Sequence, residues 1–348
     1  MKRFFIIATV FILTAIGYFV VGMLVRPPLE VTASTQHPTL SRETCIECHA
    51  PIAEEWRQSF HHRSLTGPFW ARINNKGYAT LFETLRVPCK NCHAPANVLD
   101  LPEGSIPALR KDALEMGVDC VSCHVSKHGI TGPGRTKEAP HAVFVDERFR
   151  QPELASTRLC VHCHEEQSGA GKVVTAWKSS KFASEGVTCV DCHMPLINAA
   201  VTTTSPPRLR RSHRFPGDKD IEMLRKALNA SVEVSENRRA IVRIVNDRVG
   251  HDFPAAGTNS LIVKVVTEDE SGKVLEVKEQ SFGTIESIPG YLDVWPFLLV
   301  SRIPPGAHRD IAIQLPSTHG KITAQVRYRD WFTITDKDVV FATISRNY

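Results

Sequence analysis

Cysteine is missing from this chain except in one repeated pattern, and after Cys192 there is none at all. The first absence leaves no thiol outside the pattern to explain. The second excludes a disulfide between sheets anywhere in the C-terminal part. Regular apolar periodicity is scarce between residues 31 and 216. Stretches such as Gly129–Ser156 and Pro195–Pro216 are irregular and rich in Pro and Gly, so this half shows no pattern for an apolar core of its own. A large excess of one charge is lacking too: 42 Lys and Arg stand against 37 Asp and Glu, a formal net charge of +5.

What is there is Cys-x-x-Cys-His, five times: Cys45–Cys48–His49, Cys89–Cys92–His93, Cys120–Cys123–His124, Cys160–Cys163–His164 and Cys189–Cys192–His193. This spacing is the attachment signature of c-type haem, two thioether links with the adjacent histidine beneath the iron. Structural zinc needs no histidine directly after the second cysteine, and a disulfide framework explains neither the fixed gap nor the trailing His. Five such coincidences have a chance probability on the order of one in ten million, so the expected cofactor is haem c, five copies, covalently bound. Each haem brings two propionates, so the small basic surplus serves them rather than nucleic acid. The cluster Arg208, Arg210, Arg211 and Arg214 suits that pairing, or else forms a solvated face.

Met1-Lys2-Arg3 is followed by an unbroken apolar run from Phe4 to Val25. Twenty-two residues rise roughly 33 Å as a helix, enough to span a bilayer core. The basic start should stay cytoplasmic, placing everything after Arg26 on the periplasmic, extracytoplasmic side of the cytoplasmic membrane. A cleaved signal peptide with small residues at Val31-Thr32-Ala33 is the rival. The expected organisation is an anchor over 1–30, a pentahaem domain over 31–217, and a linker helix with a β domain over 218–348.

An internal repeat runs through the haem half. Gly117-Val118-Asp119-Cys120 matches Gly186-Val187-Thr188-Cys189, and Trp56–Ser59 matches Trp177–Ser180. From Asp218 the pattern changes: a short helix to Ala230 with Ile221, Leu224 and Leu228 on one face, then alternating segments. These are 231–236, 240–245, 261–266, 274–278, 311–315, 322–328 and 339–344, with a hairpin turn at Glu270-Ser271-Gly272-Lys273. Seven short strands without helices point to an immunoglobulin-like all-β sandwich. The fold class is therefore an N-terminal transmembrane helix, a mostly irregular, partly α multihaem cytochrome c module and this C-terminal sandwich.

Cys-x-x-Cys-His, then Trp-x-x-Ser-x-His (Trp56, Ser59, His61), then Gly-Val-x-Cys-x-x-Cys-His resembles the multihaem cytochromes of the cytochrome c-554 type. The runs Ser212-His213-Arg214-Phe215-Pro216-Gly217 and Gly250-His251-Asp252-Phe253-Pro254 resemble larger multihaem proteins in which such a module is joined to a C-terminal sandwich. Members of this group are mostly electron carriers, and some relatives are oxidoreductases of nitrogen or sulfur compounds. The resemblance implies His61 (with His62 its competitor), His128, His213 and His251 as distal ligands, and loop position between two haem sites adds His141. His251 has the alternative of shaping the start of the sandwich. His162, His37, His308, His319 and Met194 are weaker candidates. The second repeat reads Trp177-x-x-Ser180-x-Phe182, so the counterpart of His61 is absent.

Five distal candidates for five irons imply an electron carrier between the membrane quinol pool and periplasmic or extracellular acceptors. Its partners would be redox proteins, a membrane quinol oxidase or other cytochromes, and a homo-oligomer is compatible with it. The alternative is an oxidoreductase acting on a small nitrogen or sulfur compound at one open haem, although no Cys-x-x-Cys-Lys variant is present. A third reading makes the β domain the working part, docking a partner or joining haem modules.

Overall fold

The computed structural model describes residues 31–32, 42–67, 70–71, 74, 89–135, 141–165, 173–218, 220–255, 259–284, 300–330 and 338–348. The apolar run expected to span the membrane lies outside them, as does His37. Among the described residues no helix is long and apolar enough to cross a membrane.

The haem half is built of short helices: α1 (Arg42–Cys48), α2 (Ala50–Arg57), α3 (Cys89–His93), α4 (Cys120–His124), α5 (Pro152–Arg158), α6 (Val161–His164), α7 (Val173–Lys178), α8 (Lys181–Ser184) and α9 (Cys189–His193). Most are one or two turns long, too short to be stable alone in water. Two small hairpins join them, β1 (Val125–Ser126) with β2 (Gly129–Gly132), and β4 (Leu196–Ala199) with β5 (Arg208–Arg211), while β3 (Phe144–Val145) pairs parallel to β2. The buried apolar residues here include Trp56, Trp70, Leu99, Ile106 and Val174 beside the alanines Ala53, Ala94, Ala96 and Ala155.

The C-terminal part is the opposite case. Helix α10 (Ile221–Ala227) is capped by Asp220, whose carboxylate accepts the Met223 N–H at 2.9 Å. A three-stranded sheet follows, ordered β11-β7-β6 from β6 (Asn229–Ser235), β7 (Arg239–Val245) and β11 (His308–Gln314). The second sheet has five strands, ordered β10-β9-β8-β12-β13: β8 (Asn259–Glu268), β9 (Val274–Thr284), β10 (Val300–Ser301), β12 (Lys321–Asp330) and β13 (Val339–Asn347). Alternation puts Ala240, Val242 and Ile244 of one sheet against Leu261, Val263, Val265, Ile322, Ala324 and Val326 of the other, all at most 2% exposed. Pairing of Val263 with Val326 keeps these inward positions in register. The expected turn is present: Asp269 Oδ1 accepts the N–H groups of Ser271 and Lys273, and Gly272 takes φ 84°. All the expected strands form, and the helix ends at Ala227, three residues before the sequence pattern suggested.

Candidate metal centres

A helical turn places residues i, i+3 and i+4 on one side, so Cys-x-x-Cys-His presents two thiols and an imidazole together. The sequence starts these turns locally. Asp119 accepts the Ser122 N–H at 3.1 Å and caps α4; Thr188 and Asp191 form the equivalent box on α9. Asp119 has no exposed side chain and is paired with Arg42 and with Arg110, whose Nη1 lies at 3.1 Å.

Four of the five proximal imidazoles are then oriented by a carbonyl oxygen. Nδ1 of His49 lies 3.0 Å from Val201 O, that of His124 3.1 Å from Thr131 O, and that of His193 2.6 Å from Pro216 O. Nδ1 of His93 stands 2.6 Å from Ser64 O, and the Trp70 indole N–H approaches the same atom at 3.1 Å. Both contacts cannot hold at once, and the donation to Ser64 is the one that leaves Nε2 free for a metal.

Across from four of these rings stands a second histidine. The centroid separations are 6.2 Å for His49 and His141, 6.3 Å for His164 and His61, 6.2 Å for His124 and His213, and 6.3 Å for His193 and His251. A metal–imidazole bond is about 2 Å and the bonding nitrogen sits roughly 1 Å from its ring centre, so an iron between two imidazoles separates the centroids by about 6 Å. The side chains therefore fit a bis-histidine iron at four sites. Burial keeps the rings neutral, with lone pairs available: His61 is pushed down to about 3, and His164, His213 and His251 to about 4.

His128 departs from the expectation. It sits exposed in the β1–β2 turn, because Ser126 Oγ accepts its N–H at 3.2 Å and tightens that turn away from the interior. Among the described residues it faces no proximal ring. The ring met edge-on by His93 is Trp70, at 5.3 Å. His62 rests on Trp56 at 4.2 Å, leaving His61 as the histidine of that pair that faces a proximal ring. His162 is buried, with Nδ1 2.8 Å from Ser105 O.

Two of these facing histidines, His251 and His213, are held through their backbone. Asn246, fully buried, donates to the carbonyls of His251 (2.9 Å) and Ile303 (2.8 Å), while Phe253 exchanges two backbone hydrogen bonds with Ile303. His251 thus both faces His193 and belongs to the rim of the β core. Glu55 on α2 accepts the His213 N–H at 2.8 Å and pairs with both terminal nitrogens of Arg210. Burial works against its charge, but these donors hold its carboxyl below the usual range. Arg211 pairs with Asp191 at 2.7 Å. Two members of the basic cluster are thus engaged by carboxylates of the chain. Phe215 lies edge-on to His61 at 4.3 Å and to His213 at 6.0 Å. Glu55 and Trp70 carried no signal in the sequence; Phe215 stood within the Ser212–Gly217 run, and Asp119 is a capping residue three before a serine.

The attachment sites are contiguous. The thiols of Cys92 and Cys163 are within hydrogen-bonding reach of each other, as are those of Cys160 and Cys189. Burial pushes Cys120 up to about 12, with Cys45 nearby adding to it, and Cys123 lies close enough to act on Cys160 and Cys163. The Cys160–Cys163 site therefore neighbours three of the others.

The chain matches the family model of cytochrome c554 and c-prime over residues 44–125 and 135–194. It is similar to the crystal structure of a penta-haem cytochrome c552 from Thermochromatium tepidum, with 17% identity and a TM-score of 0.61, covering 89% of this chain and 99% of that one. That likeness shows the fold. Superoxide reductase from Nanoarchaeum equitans matches at 13% identity over 36% of this chain and 91% of its own, with a TM-score of 0.20, too low to argue from. No curated protein matches.

Proposed function

We propose that the chain is a multihaem c-type cytochrome with a C-terminal β domain, that it carries five haems and that it works as an electron conduit. Haem c, when bound, supplies a one-electron couple whose potential follows its axial ligands and surroundings. The observation that carries the reading is the set of four histidine pairs at 6.2–6.3 Å. His49 with His141, His164 with His61, His124 with His213 and His193 with His251 hold both axial positions and leave no room there for a substrate. Contiguity of the attachment cysteines supports a continuous path, with the Cys160 site as its junction.

The chain's own groups set the conditions along that path. The carbonyls of Val201, Thr131 and Pro216 fix ring planes and raise imidazole basicity. The β domain closes the last site by presenting His251. An immunoglobulin-like sandwich is the finer description of that domain. The Lys2-Arg3 start and the Phe4–Val25 run support a single-pass anchor in the cytoplasmic membrane with the haem module on the periplasmic side. Such a protein would take electrons from the quinol pool or another cytochrome and pass them to acceptors outside.

One preparation tests this. Protein from salt-washed membranes should be heavier than the apoprotein by five haems, and its EPR spectrum should show low-spin signals from at least four bis-histidine centres. A high-spin haem that binds nitrite, hydroxylamine or carbon monoxide would favour an oxidoreductase instead. Fewer than four low-spin centres would remove the observation on which the conduit rests.

A further inference from the structure

The segment bearing His213 is tied to the helix that begins at the first haem site, through a single carboxylate. Glu55 sits on α2, which starts directly after His49. Its side chain is 16% exposed and that of its partner Arg210 is 8% exposed. The carboxylate receives Arg210 Nη2 at 2.7 Å, Arg210 Nη1 at 3.1 Å, Ser212 Oγ at 3.3 Å and the backbone N–H of His213 at 2.8 Å. The arrangement continues onto the ring. Arg210 Nη1 also donates to the Arg211 carbonyl at 3.1 Å, and that same oxygen takes the Nδ1–H of His213 at 3.2 Å. Arg210 is fixed further by its Nε bond to Ala200 O at 2.9 Å.

We infer that Glu55 is a positioning residue for His213, and through it sets the axial field at the Cys120–His124 haem. This rests on the reading that His213 is that iron's sixth ligand. Glu55 touches neither the iron nor the imidazole. It places the backbone nitrogen of residue 213 directly and the ring plane by way of Arg210 and the Arg211 carbonyl. Charge-assisted hydrogen bonds of this kind are about twice as strong as neutral ones, and ligand-supporting residues are worth roughly 10–100-fold in metal affinity. A looser imidazole stabilises ferric iron less, so the potential at this haem should rise when Glu55 is lost.

The test uses full-length holoprotein and four variants, read by EPR and by a spectroelectrochemical redox titration. His213→Ala should convert one haem from low to high spin. Glu55→Ala should alter the g-values or spin state of that same haem, leave the others as they were, and raise one midpoint potential. A tenfold loss of ferric preference corresponds to about 59 mV for a one-electron couple. Glu55→Gln keeps an oxygen for the His213 N–H, so it should restore part of the shift. Unchanged potentials and g-values in Glu55→Ala would overturn the inference, as would an equal shift at every haem or a shift confined to the Cys45–His49 haem. If His213→Ala itself leaves every haem low-spin, the ligand reading fails, and that result is distinct from the first. Should Glu55→Ala fail to accumulate with haem, Glu55→Gln and Arg210→Lys carry the same readout: a shift at one haem supports the role, and none overturns it.

Discussion

The two repeat units of the haem half share matched hydrogen bonds around Trp56 and Trp177, although the first carries an additional motif, Cys89–Cys92–His93, between its landmarks. In the first, the Trp56 indole donates to Val118 O at 2.7 Å, Ser59 Oγ to Trp56 O at 2.6 Å, and Val118 N to the carbonyl of His61 at 2.8 Å. In the second, Trp177 donates to Val187 O at 2.9 Å, Ser180 Oγ to Trp177 O at 2.7 Å, and Val187 N to the carbonyl of Phe182 at 2.8 Å. His61 and Phe182 therefore occupy equivalent places. His61 does not face a histidine of its own unit; it reaches His164, at the opening motif of the next. Phe182 has no following unit to serve, and its ring lies instead beside Gly250, next to the residue that faces His193. The histidine absent at position 182 is not one that His193 lacks, since His251 faces that ring.

Withholding haem should have the largest effect on this comparison, because both units depend on it equally. The short helices have little apolar surface of their own to bury, so a chain made without haem attachment should lose nearly all its helical circular dichroism. Residues from about Asn229 onward, with their shared core, should persist as a protease-resistant β fragment. Surviving helices would show that the units fold without the cofactor.

The matched glycines separate the units more finely. Gly117 and Gly186 both take left-handed φ, 61° and 75°. A methyl group on Gly117 would collide with the carbonyl of His61 and lie 2.6 Å from that of His62, whereas one on Gly186 would meet nothing within 4 Å. Gly186→Ala should cost only the left-handed strain of about 1–2 kcal/mol. Gly117→Ala should cost several times more and disturb the low-spin signal of the Cys160 haem through His61. Thermal denaturation followed in the Soret band, with EPR of the purified variants, measures both. Equal effects would mean that the units are not packed as described.

The smallest effect should come from Phe182→His, which makes the two repeats identical at that position. With no third repeat unit after Cys189–His193 to face, the new imidazole should leave the count of low-spin haems unchanged, and stability should fall by about 1 kcal/mol or less from altered packing against Gly250. A shift in the His193 haem would show that position 182 can compete with His251.

The parts of this fold that follow local rules could be read from the residues. Strand alternation from Ser231 onward located the β sheets, because each strand is amphipathic and two-faced. The five attachment turns were legible because spacing alone defines them. The partners of those turns were less so. His141 and His251 were named from position and resemblance, but nothing local says which proximal ring each one meets. That is decided by long-range packing, such as Asn246 holding the His251 carbonyl. His128 misled because spacing from His124 is a local measure, while its turn is governed by Ser126. Glu55 looks like any exposed helix glutamate until Arg210 folds over it.

The distal histidines also carry an order in time. A chain is made from its N-terminus, so His61 exists before His164, the ring it will meet, is made. His141, His213 and His251 each arrive after the ring they face. The Cys160 site can close as soon as its own motif is complete, whereas the Cys189 site must wait for the loop that begins the β core. On the proposed ligation by His251, closure of that last site reports that synthesis has passed residue 251, and a chain cut short before it should differ in colour and magnetism from a finished one.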